Sequence, residues 1–382
     1  MLAESPMALP SIFYFFFYSA IACIFPFLAL FYQGIGLSGS QIGLLTGLSP
    51  LIGMISTPFW TGTADATHRH KTILVVAILG AIAAALTISR LTSFLWLVPV
   101  VCLYAFLGAP ITALVDSATM SMLGERRDRY GRIRLWGTVG WGVTAPVVGG
   151  LIERFGIHWS FWGYALLLFA GLLVALRIPF QQSRTATAFM HGVRTLLSNR
   201  RWMFFLVVVF ICGIGMASIN NYLFIYMESL GSSESLMGLA LTVSTLSEIP
   251  VLFFADRMMR RFGTRGMLVL AMTVIGARLL LYSVTSLPWA ILVIQLLHGL
   301  TFGPIYVAGV AYADQVAPPG MKATTQGMFG STLMGFGAAT GGLLGGFLIQ
   351  QAGPGFMYRV IGIVVLVSLA TFLIGERALA AR

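Results

Sequence analysis

Charged side chains are scarce in this chain. They make up 9% of its 382 residues, against about a quarter in an ordinary soluble domain. Acids are the rarer sign, with 12 Asp and Glu against 23 Lys and Arg. Only three cysteines occur, Cys23, Cys102 and Cys212. All three fall in apolar runs without metal or disulfide spacing, so they read as packing residues and no thiol-held metal is expected. No Ser/His/Asp set, H-E-x-x-H or phosphate-binding glycine loop is present, and there is no sizeable hydrophilic domain. These absences argue against a soluble protein and against catalysis. A membrane-embedded enzyme using His298 as a base is left as a rival that nothing else in the chain supports.

What is abundant is apolar sequence: 58% of the chain is hydrophobic, and 43 glycines suit close helix packing in lipid. Twelve runs are long enough to cross a bilayer. They cover roughly 11–32, 41–64, 72–91, 94–121, 131–152, 158–179, 202–227, 235–256, 265–285, 288–316, 322–349 and 357–376. The first is too long for a signal-peptide core and no small-residue cleavage site follows it, so it reads as a span. Pro26, Pro50, Pro110, Pro146 and Pro304 lie inside runs, where neighbouring helices can re-satisfy the freed carbonyls.

The net charge of +11 invites a nucleic-acid reading, but the positions of the bases oppose it. Placing the loops by alternation, one side holds Arg69, Lys71, Arg126, Arg127, Arg129, Arg132, Arg134, Arg177, Arg184, Arg194, Arg200, Arg201, Arg257, Arg260, Arg261, Arg265, Lys322, Arg377 and Arg382. The other holds Arg90, Arg154 and Arg359. That asymmetry predicts both termini and the central loop in the cytoplasm; a bacterial inner membrane is the expected location.

The longest hydrophilic gap, near 181–201, divides the chain into a six-span bundle over 1–180 and another over 202–382. The halves repeat. Ser40-Gln41-Ile42-Gly43-Leu44 answers to Ser235-Leu236-Met237-Gly238-Leu239, Ala109-Pro110-Ile111 to Gly303-Pro304-Ile305, and Gly137, Gly142 and Gly149 to Gly330, Gly335 and Gly342. Parallel repeats with binding at their midplane are a transporter architecture. The expected fold class is therefore all-α integral membrane, with twelve helices in two pseudo-symmetric bundles.

Ionisable residues inside spans are costly and read by default as functional. Glu248, Arg278 and His298 come from three successive spans and can form one charge-assisted cluster, in which Glu248 and His298 exchange a coupling proton. The alternative is a structural Glu248–Arg278 pair with His298 bonded to a neighbouring helix. Asp116 in span four can pair with Arg134 in span five and be released when solute binds, or it caps local polar groups. Trp141 stands two turns from Arg134 on nearly the same face, a pairing that suits a planar carboxylate or a sugar ring. Asn220-Asn221-Tyr222 interrupts span seven, so Asn221 and Tyr222 are candidates for solute contact or for bonds across helices. Asp314, near the end of span ten, reads as a gate or interface residue.

After span two, Thr61-Gly62-Thr63-Ala64-Asp65-Ala66-Thr67-His68-Arg69-His70-Lys71 resembles the G-x-x-x-D-[RK]-x-G-[RK]-x-[RK] signature of the major facilitator superfamily. Asp65, Arg69 and Lys71 match. The leading glycine is shifted by one, and His68 replaces the second. The resemblance implies that these three close a cytoplasmic gate. Arg260-Arg261-Phe262-Gly263-Thr264-Arg265 is a weaker copy in the second half.

A closer resemblance is to proton symporters of the lactose permease type and their phenylpropionate relatives, over about 13–378. Tyr130-Gly131-Arg132-Ile133-Arg134-Leu135-Trp136-Gly137-Thr138-Val139-Gly140-Trp141 resembles their fifth-span motif, and Phe25-Pro26-Phe27 fits span one. Ser247-Glu248, Ala277-Arg278 and Leu297-His298 match their eighth-, ninth- and tenth-span ionisable positions. The resemblance implies that Arg134 and Trp141 hold the solute. The chain departs from the sugar permease at Thr301, which stands where that protein has a coupling glutamate, and at Ala113, which replaces a fourth-span acid. Residues 297–303 look more like the phenylpropionate branch.

Together these readings predict proton-coupled import of a small organic solute by alternating access. An aromatic acid is favoured, with a sugar or nucleoside as the alternative. Arg134 or Arg278 would take the carboxylate, and Asp116, Glu248 or His298 the proton. The proton is the only coupling ion expected. No cofactor or nucleic acid is expected, lipid is the surrounding partner, and the working unit is a monomer. A drug exporter is a rival, because residues 142–150 partly resemble the fifth-span G-P-x-x-G-G motif of drug–proton antiporters.

Overall fold

The computed structural model describes residues 8–124, 126, 129–180, 196, 198–318 and 321–380. Arg127, Arg184, Arg194 and Arg382, with most of the 181–201 linker, lie outside the described residues. Every regular element among the described residues is helical, as a chain in hydrocarbon requires: only a helix satisfies its backbone polar groups within one segment.

Contacts divide the chain into two units. The first contains α1 (Ala8–Ile24), α2 (Leu28–Gly34), most of α3 (Gly39–Thr67), α4 (His70–Ile88), α5 (Phe94–Gly108), α6 (Pro110–Leu123), α7 (Tyr130–Phe155) and α8 (His158–Ala175). The second contains α9 (Arg200–Ser229), most of α10 (Glu234–Phe253), α11 (Ala255–Val284), α12 (Pro288–Gln295), α13 (Gly299–Val316), α14 (Lys322–Gly330), a π-helical segment (Ser331–Gly337) and α15 (Ala338–Ala380). Residues 38–47, which open α3, group with the second unit. Residues 232–242, which include the opening of α10, group with the first.

Eleven helices among the described residues are long and apolar enough to cross a membrane. The last runs over Thr324–Ile374 and is interrupted by non-helical backbone at Ala352 and Gly353. It therefore spans the sequence of two expected runs, and the chain is a multi-pass, all-α membrane protein. Proline acts in two ways. Pro26 and Pro110 sit where one helix stops and the next begins, whereas Pro50, Pro146 and Pro304 remain inside helices.

The distribution of side chains is that of a protein in lipid. Ile55, Leu95, Leu166 and Phe253 are largely exposed, while Arg278, Gln295 and Thr301 are buried. A soluble fold avoids extended apolar surface of this kind.

Candidate functional site

In the second unit, the site begins with a glycine. The backbone around 296–298 tightens into i→i+3 bonds, with Leu297 N–H on Ile294 O at 3.0 Å and His298 N–H on Gln295 O at 3.0 Å. This turn ends α12 and frees the first amide of α13. Gly299 N–H donates to Ser247 Oγ at 3.0 Å. A Cβ on Gly299 would fall on the Ser247 carbonyl, so the missing side chain is what lets α10 and α13 meet here. The next residue on α10 is Glu248, and the preceding one on the other strand of the contact is His298. Their carboxylate Oε1 and ring Nε2 lie 2.8 Å apart.

Arg278 of α11 completes the cluster from the other side of the imidazole, 1% exposed. Its Nη1 donates to His298 Nδ1 at 3.2 Å and to Thr301 Oγ1 at 3.1 Å. Its Nη2 donates to Gln295 Oε1 at 2.6 Å and to the Tyr282 hydroxyl at 3.2 Å. Tyr282 in turn donates to Gln295 Oε1 at 3.0 Å. The three ionisable residues expected to meet are therefore together, in the order carboxylate, imidazole, guanidinium. Among the described residues no direct Glu248–Arg278 ion pair forms, because the histidine stands between them. Thr301, in the place of the sugar permease's glutamate, is a buried neutral acceptor for Arg278.

In the first unit, α7 supplies Arg134 and α1 supplies two tyrosines. Cβ atoms on Gly137 and Gly140 would run into the Tyr18 ring and the Phe15 carbonyl, so this glycine face lets α1 lie against α7. The guanidinium carbon of Arg134 lies 3.9 Å from the Tyr18 ring centroid and 5.4 Å from that of Tyr14, within cation–π range. Arg134 Nη2 donates to the Tyr18 hydroxyl, and the Tyr14 hydroxyl donates to Asp116 Oδ1. The expected Asp116–Arg134 ion pair is absent among the described residues. Instead Arg134 lies over the Tyr18 and Tyr14 rings, and the Tyr14 hydroxyl carries the hydrogen bond to Asp116. Trp141 is half-buried, with its ring centroid 6.4 Å from that of Phe25.

The remaining candidates are placed differently. Asn221 is half-buried. Tyr222 is fully buried, its hydroxyl donated to the Gly342 carbonyl and its ring against Gly345. Its polar atom forms the bond across helices that the sequence offered as one of two alternatives, from α9 to α15. Asp65 pairs with His70 Nε2 at 2.8 Å rather than with Arg69 or Lys71. Arg69, Lys71, His68 and Phe180 help to line a recess of about 340 Å³. Asp314 pairs with Lys322 at 2.8 Å on an exposed surface.

Sequence reasoning passed over Gln295, Tyr282, Tyr14 and Tyr18. A signal was present for the first two. Gln295, His298 and Thr301 recur every three residues within an apolar span, which puts them on one helix face, and Tyr282 follows Arg278 by four. The tyrosines of α1 carried no such mark among the phenylalanines around them.

The MFS_1 like family model matches residues 8–360. The chain is 28% identical over 367 residues to a maltose permease of Geobacillus stearothermophilus, covering 94% of this chain and 93% of that protein. It is 24% identical over 359 residues to a probable 3-phenylpropionic acid transporter of Escherichia coli, covering 92% and 93%. The crystal structure of the nucleoside transporter NupG superposes with a TM-score of 0.85 at 16% identity, covering 97% of this chain and 98% of that one, and so speaks for the fold alone.

Proposed function

The chain belongs to the MFS_1 like family and is a secondary transporter rather than an enzyme, and we propose that it imports a small aromatic carboxylate of the 3-phenylpropionate type together with a proton, by alternating access. The observation that carries this reading is the setting of Arg134. Its charge is half-buried over two tyrosine rings and is met by a neutral hydroxyl. A carboxylate would supply two charge-assisted hydrogen bonds to such a guanidinium, and the accessible aromatic side chains Tyr18, Phe25 and Trp141 suit an attached ring.

Arg278 is the weaker candidate for the carboxylate, since its four acceptors already occupy both terminal nitrogens. The coupling proton is assigned to the Glu248–His298 pair, with Asp116 as a second acid. An anion that enters with one proton leaves the charge of the protein unchanged. We place the protein in a bacterial inner membrane, as its bacterial relatives suggest, with both termini cytoplasmic, following the asymmetry of Lys and Arg, and take it to work as a monomer with no cofactor.

A disaccharide is the second reading, favoured by the similarity to the maltose permease. The test is made in proteoliposomes with an imposed inward proton gradient. Phenylpropionate, cinnamate, maltose, lactose, a nucleoside and a cationic dye are added in turn while internal pH is recorded. Acidification driven by the aromatic acids is the expected result. Acidification by a sugar selects the second reading, and alkalinisation by the dye would identify an exporter.

A further inference from the structure

The cluster around Arg278 determines more than the position of a charge. A guanidinium has only donors, so the 3.2 Å contact from Arg278 Nη1 obliges His298 Nδ1 to present its lone pair. A neutral imidazole carries one N–H, which then resides on Nε2 and points at Glu248 Oε1 at 2.8 Å. Protonating Nδ1 would put two donors face to face. With Arg278 in this place, the mobile proton has one open address, the Glu248 carboxylate.

We infer that Gln295 is the positioning residue that holds this arrangement: its side-chain carbonyl pins Arg278 Nη2 and thereby fixes His298 as the Nε2–H tautomer.

Gln295 Oε1 makes the shortest of the Arg278 contacts, at 2.6 Å, and also accepts from Tyr282 at 3.0 Å. One oxygen thus gathers a cation from α11 and a hydroxyl one turn further along it, on the same face. Gln295 is 2% exposed, so water does not compete for that oxygen. Of the other two side-chain oxygens on Arg278, that of Tyr282 belongs to α11 itself, and that of Thr301 makes a longer contact of 3.1 Å while donating its own proton to the His298 carbonyl at 2.6 Å. The neutrality of Gln295 matters as much as its reach. A carboxylate there would pair with Arg278 and cancel the charge that faces the imidazole. The ionisable groups around His298 are Glu248 from α10, Arg278 and Tyr282 from α11, and behind them Tyr358 from α15, within electrostatic range of Arg278 and Tyr282.

This inference rests on the coupling reading for its consequence in transport, but its direct test does not. Full-length protein labelled with ¹⁵N-histidine and held in nanodiscs reports the protonation of each ring nitrogen by NMR, with the His298→Asn spectrum assigning the signal among the five histidines. In the wild type His298 is expected as a single neutral Nε2–H form. In Gln295→Leu it becomes a tautomer mixture. In the isosteric Gln295→Glu the doubly protonated form grows in at a pH where the wild type remains neutral, and the alkaline limb of solute-driven proton uptake moves to higher pH. A purely structural role would lower stability without moving that limb. An unchanged tautomer and titration in folded Gln295→Glu overturns the inference. If the wild type takes up no protons at all while the tautomer shifts occur as stated, the coupling reading fails and the positioning role stands.

Discussion

At the scale of single residues, two charges have different surroundings, and the proposed tasks follow from them. Arg134 keeps a half-buried guanidinium over tyrosine rings, whereas Arg278 is fully buried and met by four neutral groups. Arg134→Lys keeps the charge and loses the planar fork. One lost charge-assisted hydrogen bond is worth about 1.5–3 kcal/mol, so isothermal titration should show Kd for phenylpropionate rising roughly ten- to hundredfold. An unchanged Kd would remove Arg134 from the solute site. Glu248→Gln keeps an acceptor for His298 Nε2–H but cannot take up a proton. Accumulation driven by a pH gradient should be lost while exchange of internal for external solute persists, and full accumulation would exclude Glu248 as an essential carrier. The ionisable residues of this site were legible because a charge in an apolar span has no cheap explanation. Gln295 and Tyr282 were harder to see, since a neutral polar side chain in a span commonly serves only to bond helices together.

At the scale of elements, glycine decides which helices can bring these residues together. The contact of α10 with α13 passes through Gly299, and that of α1 with α7 through Gly137 and Gly140. Gly299→Val would drive a side chain into the backbone of Ser247. Overpacking of this kind costs about 1–3 kcal/mol, and here it also parts Glu248 from His298. The expected outcome is a lower Tm together with loss of proton-coupled uptake. Gly327→Val is the control, since a Cβ there meets nothing within 4 Å, and equal effects of the two would refute the packing argument. The lengths of the runs foretold where helices lie. They did not foretell the tightened turn at 296–298, because nothing in a local apolar pattern distinguishes a continuous span from one broken at His298. Nor did they foretell that Pro26 ends a helix while Pro50 does not.

At the scale of the whole chain, the internal repeat foretold equivalent positions, and the structure gives those positions equivalent bonds. Ser38 and Ser233 open α3 and α10. Ser38 Oγ accepts from Gln41 N–H at 3.4 Å and Ser233 Oγ from Leu236 N–H at 3.3 Å. One residue into each helix, Ser40 N–H donates to Gln350 Oε1 at 2.9 Å and Ser235 N–H to Glu153 Oε2 at 3.2 Å. These distant caps lie within the segments that change unit, 38–47 and 232–242. A division of the chain at its hydrophilic linker assigns both segments by sequence order, and only contacts reveal the exchange. The repeat motif Ser-x-x-Gly marks the spot in each half, but the capping side chains are more than 80 residues from one site and 300 from the other, beyond what periodicity can register. If the two caps are independent local devices, Gln350→Ala should speed amide exchange at Ser40 and its neighbours and leave Ser235 alone, and Glu153→Ala should do the reverse. A lost helix cap is worth about 0.5–2 kcal/mol, which is roughly a two- to thirtyfold change in local opening. Hydrogen-exchange mass spectrometry resolves the two peptides separately. Exchange that rises at both openings in either variant would mean that the two ends open as one event rather than through separate local caps.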